Sequence, residues 1–196
     1  MKETFEWVHS WCDHTNNEDL PRVLLIGDSI TNAYQAMVRE RLAGVCYVDY
    51  MATSYSVENP IYGELVKSYF NNSRYDVIHF NHGLHGKWMS KVTYKEGLRA
   101  ILKDRCEHII LASSTVVRDP ESFDIDESWL EKLEERNAAM RELSFEYGYS
   151  HNDLFSLSLD ISKEKRAGDP YHYTAEGSEI LAAKVAEAIK EELKNI

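Results

Sequence analysis

Cysteine is scarce: Cys12, Cys46 and Cys106 are the three in a chain of 196 residues, and they lie far apart. The number is odd and no C-x-x-C occurs, which speaks against a disulfide framework and a zinc knuckle. Cys46 and Cys106 have apolar neighbours and are expected to act as small core residues. Positive charge is short as well, with 22 Lys and Arg against 33 Asp and Glu, a formal net charge of −11. Nucleic acid and anionic membranes both need a basic face, so neither is expected as a partner. No run of eighteen apolar residues occurs, so no membrane-spanning helix is expected. The first twenty residues are polar and aromatic and lack the apolar centre of a signal peptide, which points to a cytoplasmic protein. H-E-x-x-H, G-x-G-x-x-G and a P-loop lysine are all missing, which argues against a zinc protease and a nucleotide- or flavin-binding protein.

What is present is organised around Val23-Leu24-Leu25-Ile26-Gly27-Asp28-Ser29. A short continuous apolar run reads as a strand buried on both faces, as in a parallel sheet. Gly27 lets the chain turn as it leaves the sheet. Asp28 and Ser29 then land at the strand's carboxyl end, where open α/β sheets bind ligands. Capping of the next helix is the competing role for Asp28, Ser29 and Thr31.

The pattern repeats along the chain. Strands are expected over 22–26, 45–50, 75–81, 108–115 and 149–154. Helices are expected over 33–42, 61–70, 90–103, from Asp126 to Gly148, and from Thr174 to about 193. Residues 1–20 read as an N-terminal arm or short helix, with Phe5, Val8 and Trp11 at helical spacing. Residues 156–168 read as a polar loop. The alternation, without repeat or linker, predicts one domain over 1–196: an α/β fold with a five-stranded parallel sheet and helices on both faces. Strand order 2-1-3-4-5 is common in this layout.

A serine hydroxyl needs a base within hydrogen-bond reach, and the base needs a group to orient it. Asp169 and His172 supply both on one turn, just ahead of the last helix and at the same sheet edge as Ser29. Their spacing lets the carboxylate meet its own histidine's Nδ1 while Nε2 points elsewhere. Pro170 stiffens the turn between them.

Gly27-Asp28-Ser29-Ile30 near one end, with Asp169-x-x-His172 and Thr174-Ala175-Glu176-Gly177 roughly 140 residues later, resembles the SGNH (GDSL-type) hydrolases. The resemblance spans residues 21–194. It implies a three-layer α/β/α flavodoxin-like fold and ester hydrolysis through an acyl-enzyme, with no metal or organic cofactor. Ser29 would be the nucleophile, His172 the general base and then acid, and Asp169 its orienting partner. Two blocks depart from the family pattern. Where a glycine amide usually serves the oxyanion hole, this chain has Met51-Ala52-Thr53-Ser54. Where Gly-x-Asn-Asp is usual, it has Asn81-His82-Gly83-Leu84-His85-Gly86. The oxyanion candidates are therefore Ser29, Thr53 (or its neighbours Ala52 and Ser54), and Asn81 or His85. Asn81 is slightly favoured, because an amide donates without depending on protonation.

The expected substrate rim is Tyr34, Tyr55, Trp88, Arg118, Tyr171 and Tyr173, with packing the fold the expected fate of at least half of the aromatics. Aromatic platforms with polar neighbours suit sugars better than lipid tails. The expected partner is thus a small ester, with an acetyl group on a carbohydrate or similar polar molecule. A broad short-chain esterase, lysophospholipase or thioesterase is the alternative enzyme. A catalytically degenerate glycan-binding member is the alternative from another class.

Overall fold

The structure, a computed structural model, describes residues 1–103 and 108–196. Cys46 is buried as expected, whereas Cys106 lies outside the described residues.

Six strands form one sheet: β1 (Val8–Trp11), β2 (Arg22–Gly27), β3 (Tyr47–Thr53), β4 (Val77–Asn81), β5 (His108–Ala112) and β6 (Ser150–Asn152). Their order is β1-β3-β2-β4-β5-β6. β2 to β6 are all parallel and keep the anticipated 2-1-3-4-5 arrangement. Among the described residues the α-helices are α1 (Ser29–Arg41), α2 (Pro60–Phe70), α3 (Lys91–Leu102), α4 (Glu127–Tyr147), α5 (Leu154–Leu159) and α6 (Ala175–Glu192).

β2 is the hinge of the packing. Val23 and Leu25 face one layer, with Tyr34 and Val38 of α1 and Leu181, Val185 and Ile189 of α6. Leu24 and Ile26 face the other, with Tyr62 of α2, Leu98 of α3 and Leu143 of α4. A side-chain period of two, with both faces covered, is why the run reads as unbroken apolar sequence. Each buried leucine or isoleucine contributes roughly 1.5–3 kcal/mol over leaving it in water.

Three expectations needed correction. Residues 8–11 form a sixth strand, antiparallel to β3 with Val8 opposite Thr53, and not a helix. Its side chains are exposed, and Phe5 and Trp11 stand 80% and 58% in solvent. The spacing of Phe5, Val8 and Trp11 therefore marked no buried face. Pairing with β1 also carries β3 on to Thr53, three residues past the expected end at Tyr50. The polar stretch 156–168 holds the end of α5 and a 3-10 turn (Lys163–Lys165). Asp153 caps α5, accepting from the Ser156 amide, and Leu154 anchors it in the core.

Candidate active site

Gly27 ends β2 where two elements crowd the backbone: a Cβ there would collide with Thr31 Oγ1 and the Asn81 carbonyl. Glycine is thus required for the close approach. Asp28 caps α1, accepting the Ile30 amide at 3.0 Å, so the capping role belongs to Asp28 and leaves Ser29 free. Ser29 opens the helix, where amides lack intrahelical partners and the dipole favours negative charge.

The chain brings Ser29, His172 and Asp169 together. Asp169 Oδ1 accepts the amides of Tyr171 and His172, both at 2.8 Å, and Oδ2 meets His172 Nδ1 at 2.9 Å. A carboxylate on Nδ1 fixes that nitrogen as the protonated one, so Nε2 accepts from the Ser29 hydroxyl at 2.8 Å. The Pro170 carbonyl is held in turn by Arg166 Nη2 at 2.7 Å and the Arg118 amide at 3.1 Å. Partial burial works against charge on Asp169, but its hydrogen bonds from the His172 and Tyr171 amides and the His172 ring outweigh it. The carboxyl is held below its usual range and stays ionised wherever a histidine titrates.

A cleft of about 200 Å³ opens over this chain of hydrogen bonds. Ser29, His172, His85, Trp88, Trp129 and Tyr171 line it, with Glu3, Leu84 and Lys87 at its margin. Trp129 donates its indole N–H to the Tyr171 hydroxyl at 3.2 Å, and the two rings meet edge to face. Lys87 Nζ lies 4.8 Å from the Trp129 ring centroid. The Trp88 indole N–H is held by Glu58.

The remaining predicted residues lie elsewhere. Tyr34 is fully buried against α6, its hydroxyl 2.9 Å from Thr31 Oγ1. Tyr173 is buried under the Arg166 guanidinium. Tyr55 packs on the core, and its carbonyl faces His82 Nε2. Arg118 lines a separate small hollow of about 80 Å³ behind Asp169, its guanidinium spent on the Phe123 and Leu159 carbonyls. The Thr53 hydroxyl donates to the Trp7 carbonyl at 2.6 Å and the Ser54 amide bonds the same carbonyl, and none of Ala52, Thr53 and Ser54 lines the cleft. Asn81 is buried beside the Tyr34 hydroxyl, at the tip of β4 but inside the core. His85, not Asn81, reaches the cleft, and its Nε2 has no partner among the described residues.

The loop carrying His85 is anchored from below. Leu84 donates its amide to Asp28 Oδ2 at 3.4 Å. Arg136, fully buried on α4, donates to the carbonyls of Gly83 and Gly86 and lies over the rings of Trp129 and Tyr94. Gly86 has φ +68°, a conformation that a β-carbon disfavours.

No family profile matches this chain, and no curated protein matches it. Solved structures do. Axe2, an acetylxylan esterase from Geobacillus stearothermophilus, superposes with a TM-score of 0.67 at 17% identity, covering 86% of this chain and 94% of that one. The C-terminal catalytic domain of Streptococcus pneumoniae peptidoglycan O-acetyltransferase A gives 0.68 at 17%, covering 89% and 96%. A protein from Parabacteroides merdae described as a GDSL-like lipase gives 0.68 at 19%, covering 86% and 94%. The chain has the SGNH-hydrolase fold. Within that SGNH fold, Trp129 and Glu3 are cleft residues that sequence reasoning missed. Trp129 follows an Asp126 cap just beyond the carboxyl edge of β5, a position that could have flagged it. Glu3 carried no such signal.

Proposed function

We propose that this protein is a serine esterase that removes short acyl groups, acetyl above all, from a carbohydrate or similar polar molecule. The observation that carries the reading is the unbroken Asp169–His172–Ser29 hydrogen-bond chain at the floor of an open cleft. Ser29 Oγ attacks the ester carbonyl as its proton passes to His172 Nε2. Asp169 steadies the imidazolium that forms. His172 then returns the proton to the departing alcohol oxygen, and the acyl group stays on Ser29. Water, deprotonated by the same His172, releases it as the free acid and restores Ser29. The first-turn amide of Ser29 and the open Nε2 of His85 are the donors available to the tetrahedral oxyanion.

Cleft size and lining support the substrate class. About 200 Å³ suits a short acyl group and leaves little room for a long tail. Trp88, Trp129 and Tyr171 offer the flat faces on which sugar rings stack. The likeness to an acetylxylan esterase points the same way. The test compares Ser29→Ala with the parent protein on p-nitrophenyl acetate, acetylated xylooligosaccharides and a lysophospholipid. Turnover of the acetylated sugars that disappears in the variant supports the reading. Preferential turnover of the lysophospholipid would replace the substrate class. Equal rates in both proteins would dismiss Ser29 chemistry altogether.

A further inference from the structure

The small hollow of about 80 Å³ behind Asp169 is lined by three cations, Arg118, Lys163 and Arg166, against two carboxylates, Asp119 and Asp169. The carboxylates are committed elsewhere. Asp119 Oδ1 accepts the amides of Glu121 and Ser122 at 2.9 and 2.8 Å, and Asp169 holds the His172 ring and two amides of its own turn. Among the described residues the ion-pair partner of Asp169 is His172, and no ion pair reaches the three cations. Their acceptors are backbone carbonyls. Arg118 donates from Nη1 to Phe123 at 2.8 Å and from Nη2 to Leu159 at 3.1 Å. Arg166 donates from Nη2 to Pro170 at 2.7 Å and to Val116 at 3.3 Å, and Lys163 donates to Glu121.

That leaves two donors over. Arg118 Nε and Arg166 Nη1 are buried with no partner among the described residues, and Arg166 as a whole is only 8% exposed. Burial pulls the Arg166 guanidinium below its ordinary value, and the charge of Arg118 beside it pulls the same way. Like charges held together away from water are unfavourable unless a counter-charge joins them. The backbone is bent to build the arrangement. Phe123 has φ +68°, a left-handed conformation uncommon for an aromatic residue, and it brings both its carbonyl and its ring to Arg118, whose guanidinium carbon stands 4.4 Å from the ring centroid. Strain of this kind collects where a chain clamps a ligand.

We propose that this hollow is a binding site for a small oxyanion, a carboxylate or a phosphate, held between Arg118, Arg166 and Lys163. Planar guanidinium groups match the oxygens of such anions, and the ammonium adds a point charge at the rim. The volume admits an anion the size of acetate or phosphate and excludes a sugar ring. The site is separate from the cleft, and the inference stands whether or not Ser29 is a nucleophile. Its occupant braces the Asp169–His172 turn from behind, because Arg166 Nη2 and the Arg118 amide share the Pro170 carbonyl.

Calorimetric titration with phosphate and, separately, with acetate tests this, at an ionic strength held constant with chloride so that general surface attraction is screened equally. The parent protein should take up a single equivalent of at least one of the two, saturably. The tighter of them names the source: free phosphate, or the acid that ester hydrolysis releases. Lys163→Gln removes one charge from an exposed side chain and should weaken binding about threefold. Arg118→Gln, checked for folding by circular dichroism, should weaken it roughly tenfold or more. Lys87→Met, which removes the cation at the cleft, should leave the affinity within about twofold. Failure of the folded parent to take up either anion saturably overturns the proposal. So does an affinity that Lys163→Gln leaves unchanged, whatever Lys87→Met does, since the anion then sits elsewhere; this variant decides even if Arg118→Gln does not fold.

Discussion

On the His172 side of Ser29, hydrogen bonds run without a gap: amide to Asp169, Asp169 to ring, ring to hydroxyl. On the His85 side they stop, and a buried ring nitrogen faces the cleft with no partner among the described residues. In the proposed reaction the two sides have different work to do. A proton relay can be fully assembled in the resting protein, because donor and acceptor are both already present. A donor for the oxyanion cannot, because its partner exists only while the tetrahedral intermediate does. Leaving that donor unpaired costs stability at rest but requires no rearrangement when charge appears.

That contrast can be broken most directly on the relay side. Ser29→Ala or His172→Ala should lower kcat/KM on acetyl esters by on the order of 10³-fold or more, with what remains owed to binding and the oxyanion donors. A loss under tenfold in steady-state assays would mean that the relay carries no turnover. On the other side, His85→Ala should cost about 10²-fold in kcat with KM nearly unchanged, the usual weight of one oxyanion donor. Asn81→Ala should instead lower the melting temperature and spare kcat in the folded protein, since its side chain lies in the core. The reverse result would exchange the roles of these two residues.

Support beneath the donor comes next. Arg136→Met leaves the buried Gly83 and Gly86 carbonyls without partners and should destabilise the fold by about 3 kcal/mol in urea titrations. An unchanged denaturation midpoint would show that the loop does not depend on it. Burial holds His79 near a pKa of about 3 and His82 near about 4, both depressed from the free value. The unfolded chain then binds more protons below about pH 6.5, so stability is full above that value and falls as pH drops towards the folded pKa. Each should contribute a loss of about 2 kcal/mol by roughly pH 5, and a flat stability curve from about pH 7 to 5 would contradict their burial as neutral rings. The smallest effect expected is at the cleft wall. Trp129→Leu should raise KM for acetylated xylooligosaccharides a few-fold while leaving p-nitrophenyl acetate nearly untouched. Equal effects on both would argue for packing alone.

What the sequence revealed follows the same divide between local and distant. The β2 run, the Asp28 cap and the Asp169–His172 turn are written in a few adjacent residues, and each takes the form its neighbours dictate. β1 was illegible because an exposed edge strand buries no alternating face, and its apolar residues happened to fall at helical intervals. α5 was hidden among serines, with Leu154 its only fully buried leucine. Tyr34 and Tyr173 looked like rim residues because aromatic residues near a catalytic motif can face either way, and only packing decides which. Glu3 reaches His85 across more than eighty positions of chain, a contact that follows from β1 pairing with β3 and from nothing in its own surroundings.

Asp28 gives the site a single datum. One oxygen fixes the start of the helix that carries Ser29, and the other holds the amide of Leu84, next to His85. The proposed nucleophile and the proposed oxyanion donor are thus measured from the same short, buried side chain instead of from two separate anchors. When the sheet breathes, both should move in step, and the spacing between them should vary less than either position does alone.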